Sequence, residues 1–331
     1  MEKILLWGIT PVYEVSSQWI NERISQNELE VLAIVDSVSD LAELDGYRVI
    51  RKEEISNYKY DKIIITAGNT VTRSILKEIQ EIGLDPEKVI RFAEYEMQYV
   101  TCQKERYEKI IDGQINTIKS LLSASDQEVA DYNWMLRMIY GYGIYPFAFG
   151  KLQDAVVTNF GLMQVPDEFA RFCNYIGALK VDTAIEVGVY RGRSSYFISA
   201  LLSRKNPHLT YYMADIRDSL DSFEKFKSVL PALEKKIPSR SEDYAEKEFD
   251  FVFIDADHSY DASIKDYYNV GQYARKITCF HDIYAHEYDM YNGGMVRTWK
   301  EVQELTSGKQ HKIFSMYPDR WMGIGCVIQE R

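Results

Sequence analysis

An acidic residue and two glycines spaced four apart, Glu186-Val-Gly188-Val-Tyr190-Arg-Gly192-Arg-Ser194-Ser195, stand where one apolar run gives way to another. The run Val181 to Ile185 reads as a buried strand, and Tyr196 to Leu202 continues as an apolar helix. A strand that turns into a helix through glycines commits the surrounding chain to an α/β sheet with a ligand-binding turn. Gly188 and Gly192 let the backbone approach a bound molecule without an intervening Cβ. Ser194 is placed to cap the new helix, whose free N–H groups then receive an anionic group. The spacing departs from the Gly-x-Gly-x-x-Gly fingerprint of dinucleotide sites.

Three further strand-like runs follow, each ending in polar residues. His208 to Asp215 ends in a carboxylate placed to accept hydrogen bonds from ribose hydroxyls. Phe249 to Asp255 leads into Asp257, His258 and Tyr260, and Lys276 to Phe280 leads into His281 and Asp282. In an open parallel sheet, ligands bind outside the carboxyl ends of the strands, so these groups converge on one crevice.

In these residues the chain resembles the class I S-adenosylmethionine-dependent methyltransferases, whose first motif has the form acidic-x-Gly-x-x-x-Gly-x-Ser. Ile254 to Tyr260, His281-Asp282 and Gly294 to Trp299 look like the small O-methyltransferase-type domain common in glycan and antibiotic biosynthesis clusters. The resemblance spans roughly the last 160 to 180 residues, about one domain. It implies a Rossmann-like fold with S-adenosylmethionine held by Glu186, Gly188, Tyr190, Gly192, Ser194, Ser195, Asp215, Ser241 and Asp255. The implied reaction is O-methylation of a hydroxyl on a sugar, glycan or secondary metabolite.

Two devices for removing the hydroxyl proton are visible. His258 can serve as general base, with Asp255 beside it, or a divalent metal, Mg²⁺ or Mn²⁺, can be held by Asp255, His281 and Asp282. Metal-dependent relatives place an acidic pair after the fifth strand, and here His281 replaces its first acid. That exchange suits Mn²⁺ or Fe²⁺ better than Mg²⁺, with Asp257 as a supplementary oxygen donor. Arg191 and Arg193 are read as solvated or as contacts to an anionic group. The stretch Ile283 to Arg297, rich in tyrosine with Asn292 and His286, suits a polyhydroxylated or phenolic acceptor.

Residues 1–93 read as a smaller Rossmann-like α/β domain: strands Ile4–Gly8, Leu29–Asp36, Tyr60–Thr66 and Lys88–Phe92, helices Val12–Ile24 and Thr70–Ile82. Gly8 and Asp36 stand where a nucleotide site has its first glycine and ribose carboxylate, but Ile9 to Tyr13 supplies no further glycine. A scaffold or docking role is the stronger reading. Residues 94–150 read as a helical linker that bridges the domains or forms a homo-oligomer interface through residues 94–140, with a packing aromatic loop over Tyr140–Phe149. Residues 151–331 then form the methyltransferase domain, opening with a helix over Asn159–Tyr175.

At 331 residues, 46% apolar and 27% charged, the chain can form two cores. A net charge of −11 and a pI near 5.1 argue against nucleic-acid or anionic-membrane partners, and the resemblance implies a small molecule or glycan as substrate. Cys102, Cys173, Cys279 and Cys326 show no metal spacing and read as reduced thiols. The apolar run after Met1 is too short for a signal or membrane span, and a cytoplasmic protein is expected. The alternative functions are an NAD-dependent sugar oxidoreductase or epimerase, and a non-catalytic methyltransferase-like partner subunit.

Overall fold

The computed structural model describes residues 1–92, 94–96, 98, 104–145 and 155–329. The chain divides into two compact units, Met1–Tyr107 and Glu108–Arg331.

In the first unit, β1 (Glu2–Trp7), α1 (Pro11–Ser25), β2 (Leu29–Val35), β3 (Glu43–Leu44), β4 (Tyr47–Ile50), β5 (Lys62–Ile65), α2 (Asn69–Glu81) and β6 (Val89–Arg91) build a sheet ordered β3-β4-β2-β1-β5-β6. β1 pairs in parallel with both β2 and β5. Alternate residues of β1 feed opposite faces: Ile4 and Leu6 pack with Tyr13, Ile20 and Phe92, while Leu5 and Trp7 pack with Ile75 and Ile79. Covering both faces explains why the strands are continuously apolar.

Asp36 fastens the turn after β1. Its Oδ2 accepts from Ile9 N at 2.9 Å, and its Oδ1 accepts from Val38 N at 2.9 Å and Ser39 N at 2.7 Å. Burial opposes the charge, but these donors and Arg51 outweigh it and hold the carboxyl below its ordinary range. Thr10 caps α1 by accepting from Val12 N at 3.1 Å and donates to Thr66 O at 2.9 Å. The Asp36 carboxylate and Gly8 thus fix the turn after β1.

The second unit contains α3 (Lys104–Ser123) from Glu108 onward, α4 (Asp126–Ala130), α5 (Tyr132–Tyr142), α6 (Pro166–Ile176), β7 (Thr183–Val187), α7 (Arg193–Ser203), β8 (Thr210–Ala214), α8 (Phe223–Val229) and β9 (Leu233–Lys236). β10 (Phe251–Ile254), α9 (Tyr260–Asn269), β11 (Ile277–His281), α10 (Gly294–Leu305), β12 (Gln310–Phe314) and β13 (Ile324–Ile328) follow. The sheet order is β12-β13-β11-β10-β7-β8-β9, parallel except for β13, which runs antiparallel to both its neighbours. The chain is therefore an α/β protein with a Rossmann-like second sheet.

Two boundaries differ from the sequence expectation. From Glu108 the helices belong with the second unit, where Ile111, Ile118, Leu121, Val129 and Met135 are buried. Ile110, Ile115 and Leu122 on the same helix are half-buried. The helix expected from Asn159 begins instead at Pro166, because proline disfavours helical backbone in the residue before it and suits the first helical position. Cys173, Cys279 and Cys326 are buried free thiols. Cys102 and part of the aromatic run, residues 146–149, lie outside the described residues.

Replacing Asp36 with alanine strips an acceptor from three backbone N–H groups. Denaturant unfolding of Asp36→Ala is expected to show a loss of about 1.5–3 kcal/mol in the first unit's transition. An unchanged transition would contradict the fastening role.

Candidate functional site

Strand order runs outward from β7 through β8 and β9 on one side and through β10 and β11 on the other. The crevice of such a sheet lies at the carboxyl ends of the strands that flank this reversal. Glu186, Asp215, Asp255 and Asp282 all come from those ends.

The glycine turn after β7 is built by internal packing. Gly188 (φ +90), Tyr190 (φ +45) and Gly192 (φ +79) adopt left-handed backbone. A Cβ on Gly188 would collide with the backbone of Asp255 and Ala256, and one on Gly192 would lie 2.7 Å from the Tyr196 ring. The glycines are thus required by neighbouring protein atoms as well as by the turn's conformation. Asp215 clamps the turn: Oδ2 accepts from Val189 N at 3.0 Å and Tyr190 N at 2.9 Å, and Oδ1 accepts from Arg217 N at 3.0 Å. A carboxylate has about four acceptor positions, so capacity for a ribose hydroxyl remains.

Glu186 is fully buried and points inward. Its oxygens accept from Ser194 Oγ and Tyr211 Oη, both at 2.6 Å. Burial pushes its pKa up to about 7, against the lowering effect of the Ser194, Tyr211 and Ser195 hydroxyls. Glu186 is thereby tied to Ser194 at the start of α7 and to Tyr211 on β8, while Ser195 is buried. Ser194 does not cap α7; Gly192 occupies that position without a side-chain cap. Tyr190 is 38% exposed and is the turn residue offered most openly to a ligand. Ser241 is buried, its Oγ accepting from Asn269 Nδ2 at 2.9 Å.

Arg191 and Arg193, read from sequence as solvated or anion-facing, are both buried. Arg191 donates to Asn159 O, while Arg193 donates to Phe160 O at 2.6 Å and forms an ion pair with Asp221. Their charges serve to hold the segment before α6 against the turn.

At the ends of β10 and β11 four titratable side chains meet. His258 Nε2 lies 3.5 Å from Asp255 Oδ1 and 3.4 Å from Asp282 Oδ2. Ligand atoms of Asp255, His258 and Asp282 all fall within 4.8 Å of one another. His281 Nδ1 lies 3.2 Å from Asp255 Oδ1 and 3.4 Å from Asp282 Oδ1. Burial opposes a charge on His281, but Asp282 and Asp255 prevail and raise its pKa to about 10. The side chains whose ligand atoms converge are thus Asp255, Asp282 and His258, where the sequence had offered His281. Asp257 is exposed and accepts from Ser259 N at 2.9 Å.

Two residues enter that the sequence reading missed. Glu168 on α6 is buried, accepting from Met316 N at 2.6 Å and Gly323 N at 2.9 Å, and its charge favours the imidazolium of His281. Its placement four residues before Phe172, on the helix's buried stripe, was the available signal. Gln164 lies beside Asp255, Nε2 donating to Oδ2 at 3.4 Å. Beyond Asp282, Tyr284 stacks on Tyr317 at 4.8 Å, and His286 contacts the rings of Tyr317 and Trp321. Tyr317 is 47% and Trp321 59% exposed, giving an open aromatic surface.

The raised pKa of Glu186 makes a stability prediction. Because the folded state favours the protonated acid, its contribution is full below the ordinary value of 4.5 and is lost as pH rises through about 7. Thermal melting from pH 4 to pH 8 is expected to show this decline in the wild type and a flatter profile in Glu186→Gln. Parallel profiles would contradict the assignment.

Residues 1–90 match the family profile described as "C2185-like, N-terminal", and residues 185–283 match the one described as "Methyltransferase domain". No curated protein matches the chain. Similar solved structures include an O-methyltransferase from Bacillus cereus in complex with SAH, at 13% identity and TM-score 0.38, covering 49% of this chain and 80% of that one. The Streptomyces achromogenes O-methyltransferase TomG, involved in tomaymycin synthesis and bound to SAM, is 12% identical with TM-score 0.37, covering 53% of this chain and 84% of that one. The SAH-bound Podospora anserina methyltransferase PaMTH1 is 13% identical with TM-score 0.37, covering 51% and 80% respectively. Within the second unit, whose sheet is a Rossmann-like α/β one, residues 185–283 are thus similar to a methyltransferase domain.

Proposed function

We propose that the second unit transfers the methyl group of S-adenosylmethionine to a hydroxyl oxygen, assisted by a divalent cation held by Asp255, His258 and Asp282. The observation that carries the metal reading is the convergence of these three donors beside the glycine turn. His258 Nε2 is buried without a hydrogen-bond partner, at separations of 3.4 and 3.5 Å from the two carboxylates. They suit ligands around one ion, where metal–oxygen bonds of about 2.1 Å place adjacent donors about 3 Å apart. A mixed nitrogen and oxygen set favours Mn²⁺ or Fe²⁺ over Mg²⁺.

When bound, S-adenosylmethionine supplies a methyl group on a sulfonium leaving group, and the cation lowers the pKa of a coordinated hydroxyl. The chain's residues supply alignment and charge. Asp215 accepts from ribose hydroxyls while holding the turn through Val189 and Tyr190. His281, as a fixed imidazolium, offsets the two carboxylates without occupying a ligand position. The exposed rings of Tyr317 and Trp321, with Tyr284 and His286, support a sugar-like acceptor whose C–H face lies on aromatic carbon. The first unit acts as a scaffold or docking module.

One observation favours a metal-free variant of the same reaction. His258 Nε2, buried between Asp255 and Asp282 without a hydrogen-bond partner, is also placed as a general base. Methyl transfer to a panel of sugar and phenolic hydroxyls separates the two. A chelator is expected to abolish turnover and Mn²⁺ to restore it, and Asp255→Asn to lower turnover by on the order of 10²-fold or more. Full turnover in chelator would assign proton removal to His258 alone. Absence of methyl transfer to every acceptor, with metal present, would count against the enzyme reading.

A further inference from the structure

We infer that Gln164 is a positioning residue that turns Asp255 toward the cation, an inference that rests on the metal reading above. The segment carrying it is held at several points. Arg191 donates to Asn159 O, while Arg193 and Gln114 donate to Phe160 O at 2.6 and 2.9 Å. A Cβ on Gly161 would lie 2.5 Å from the backbone of Ile144, so the chain passes in direct backbone contact there. Leu162 N donates to Gly143 O at 2.9 Å and Leu162 O accepts from Tyr145 N at 2.7 Å. Pro166 then starts α6. Gln164 is fixed between these anchors and is 3% exposed.

Its amide divides the work of the Asp255 carboxylate. Nε2 donates to Oδ2 at 3.4 Å, while Oδ1 is the oxygen nearest His258 Nε2, at 3.5 Å, and His281 Nδ1, at 3.2 Å. With Oδ2 engaged from one side, Oδ1 is directed to the point shared with His258 and Asp282. The other end of the amide is also informative. Gln164 Oε1 is buried with no hydrogen-bond partner. A buried acceptor left unpaired is destabilising, so the site is built to bring a donor to it. A water or an acceptor hydroxyl at the site would supply such a proton. Gln164 thus orients one ligand through its Nε2 and receives a hydrogen bond from that donor through its Oε1.

The test is calorimetric titration of Mn²⁺ alone into the full-length wild type, Gln164→Met and Gln164→Asn, with the metal-free melting temperature of each. Methionine keeps the length and removes both polar atoms; asparagine keeps the amide but withdraws it by one methylene. Both variants are expected to bind Mn²⁺ roughly 10- to 100-fold more weakly while melting close to the wild type. If Gln164→Met does not fold, Gln164→Asn decides alone. Affinity equal to that of the wild type would overturn the role of Gln164 and leave the metal reading standing. No Mn²⁺ binding by the wild type would overturn both.

Discussion

Backbone contact between Gly188 and the Asp255–Ala256 segment is the constraint on which the rest of the site depends. No side chain fits there. The turn that would cradle the cofactor and the strand end that carries the acids are therefore in direct register. Asp215 holds the outer edge of that turn through two backbone N–H groups, and the buried Glu186 holds its inner edge through Ser194. A shift of the turn would be transmitted to Asp255 through packed backbone rather than through flexible side chains.

Charge at the ends of β10 and β11 is balanced on two levels. Asp255 and Asp282 face the point they share with His258, and His281 lies against both acids as a buried cation. Burial opposes the Asp255 charge, yet His281 and His258 hold its pKa down to about 2, so the carboxylate is ionised at neutral pH. Glu168 adds a further acid near His281 and at the same time accepts from the backbone of Met316 and Gly323. The charge network is thereby tied to the segment that presents Tyr317 and Trp321.

Strand ends were the legible part of this site. Asp215, Asp255 and Asp282 each follow a short apolar strand, and parallel pairing puts such residues on one edge whatever the details of the turns. The exchange of His281 for His258 was not legible, because it depends on backbone conformation. Asp282 has φ +59, which turns the chain sharply after β11, while His281 stays in the strand. Adjacent residues in sequence thus take different places, which a spacing rule does not reveal. Arg191 and Arg193 were misread for a similar reason. Their partners, Asn159 and Phe160, lie more than thirty residues earlier in a segment with no periodic pattern. In the first unit, Gly8 and Asp36 were legible as a turn and its carboxylate. That the carboxylate is occupied by Ile9, Val38 and Ser39 follows only from how the turn closes.

The most direct test of the account is calorimetric titration of the purified full-length chain with S-adenosylhomocysteine, with NAD⁺ as the parallel ligand. Saturable binding of S-adenosylhomocysteine near one site per chain, lost in Asp215→Ala, with no binding of NAD⁺, is the predicted result. Absence of S-adenosylhomocysteine binding, or tight binding of NAD⁺ in its place, would contradict a methyltransferase built on the turn between β7 and α7.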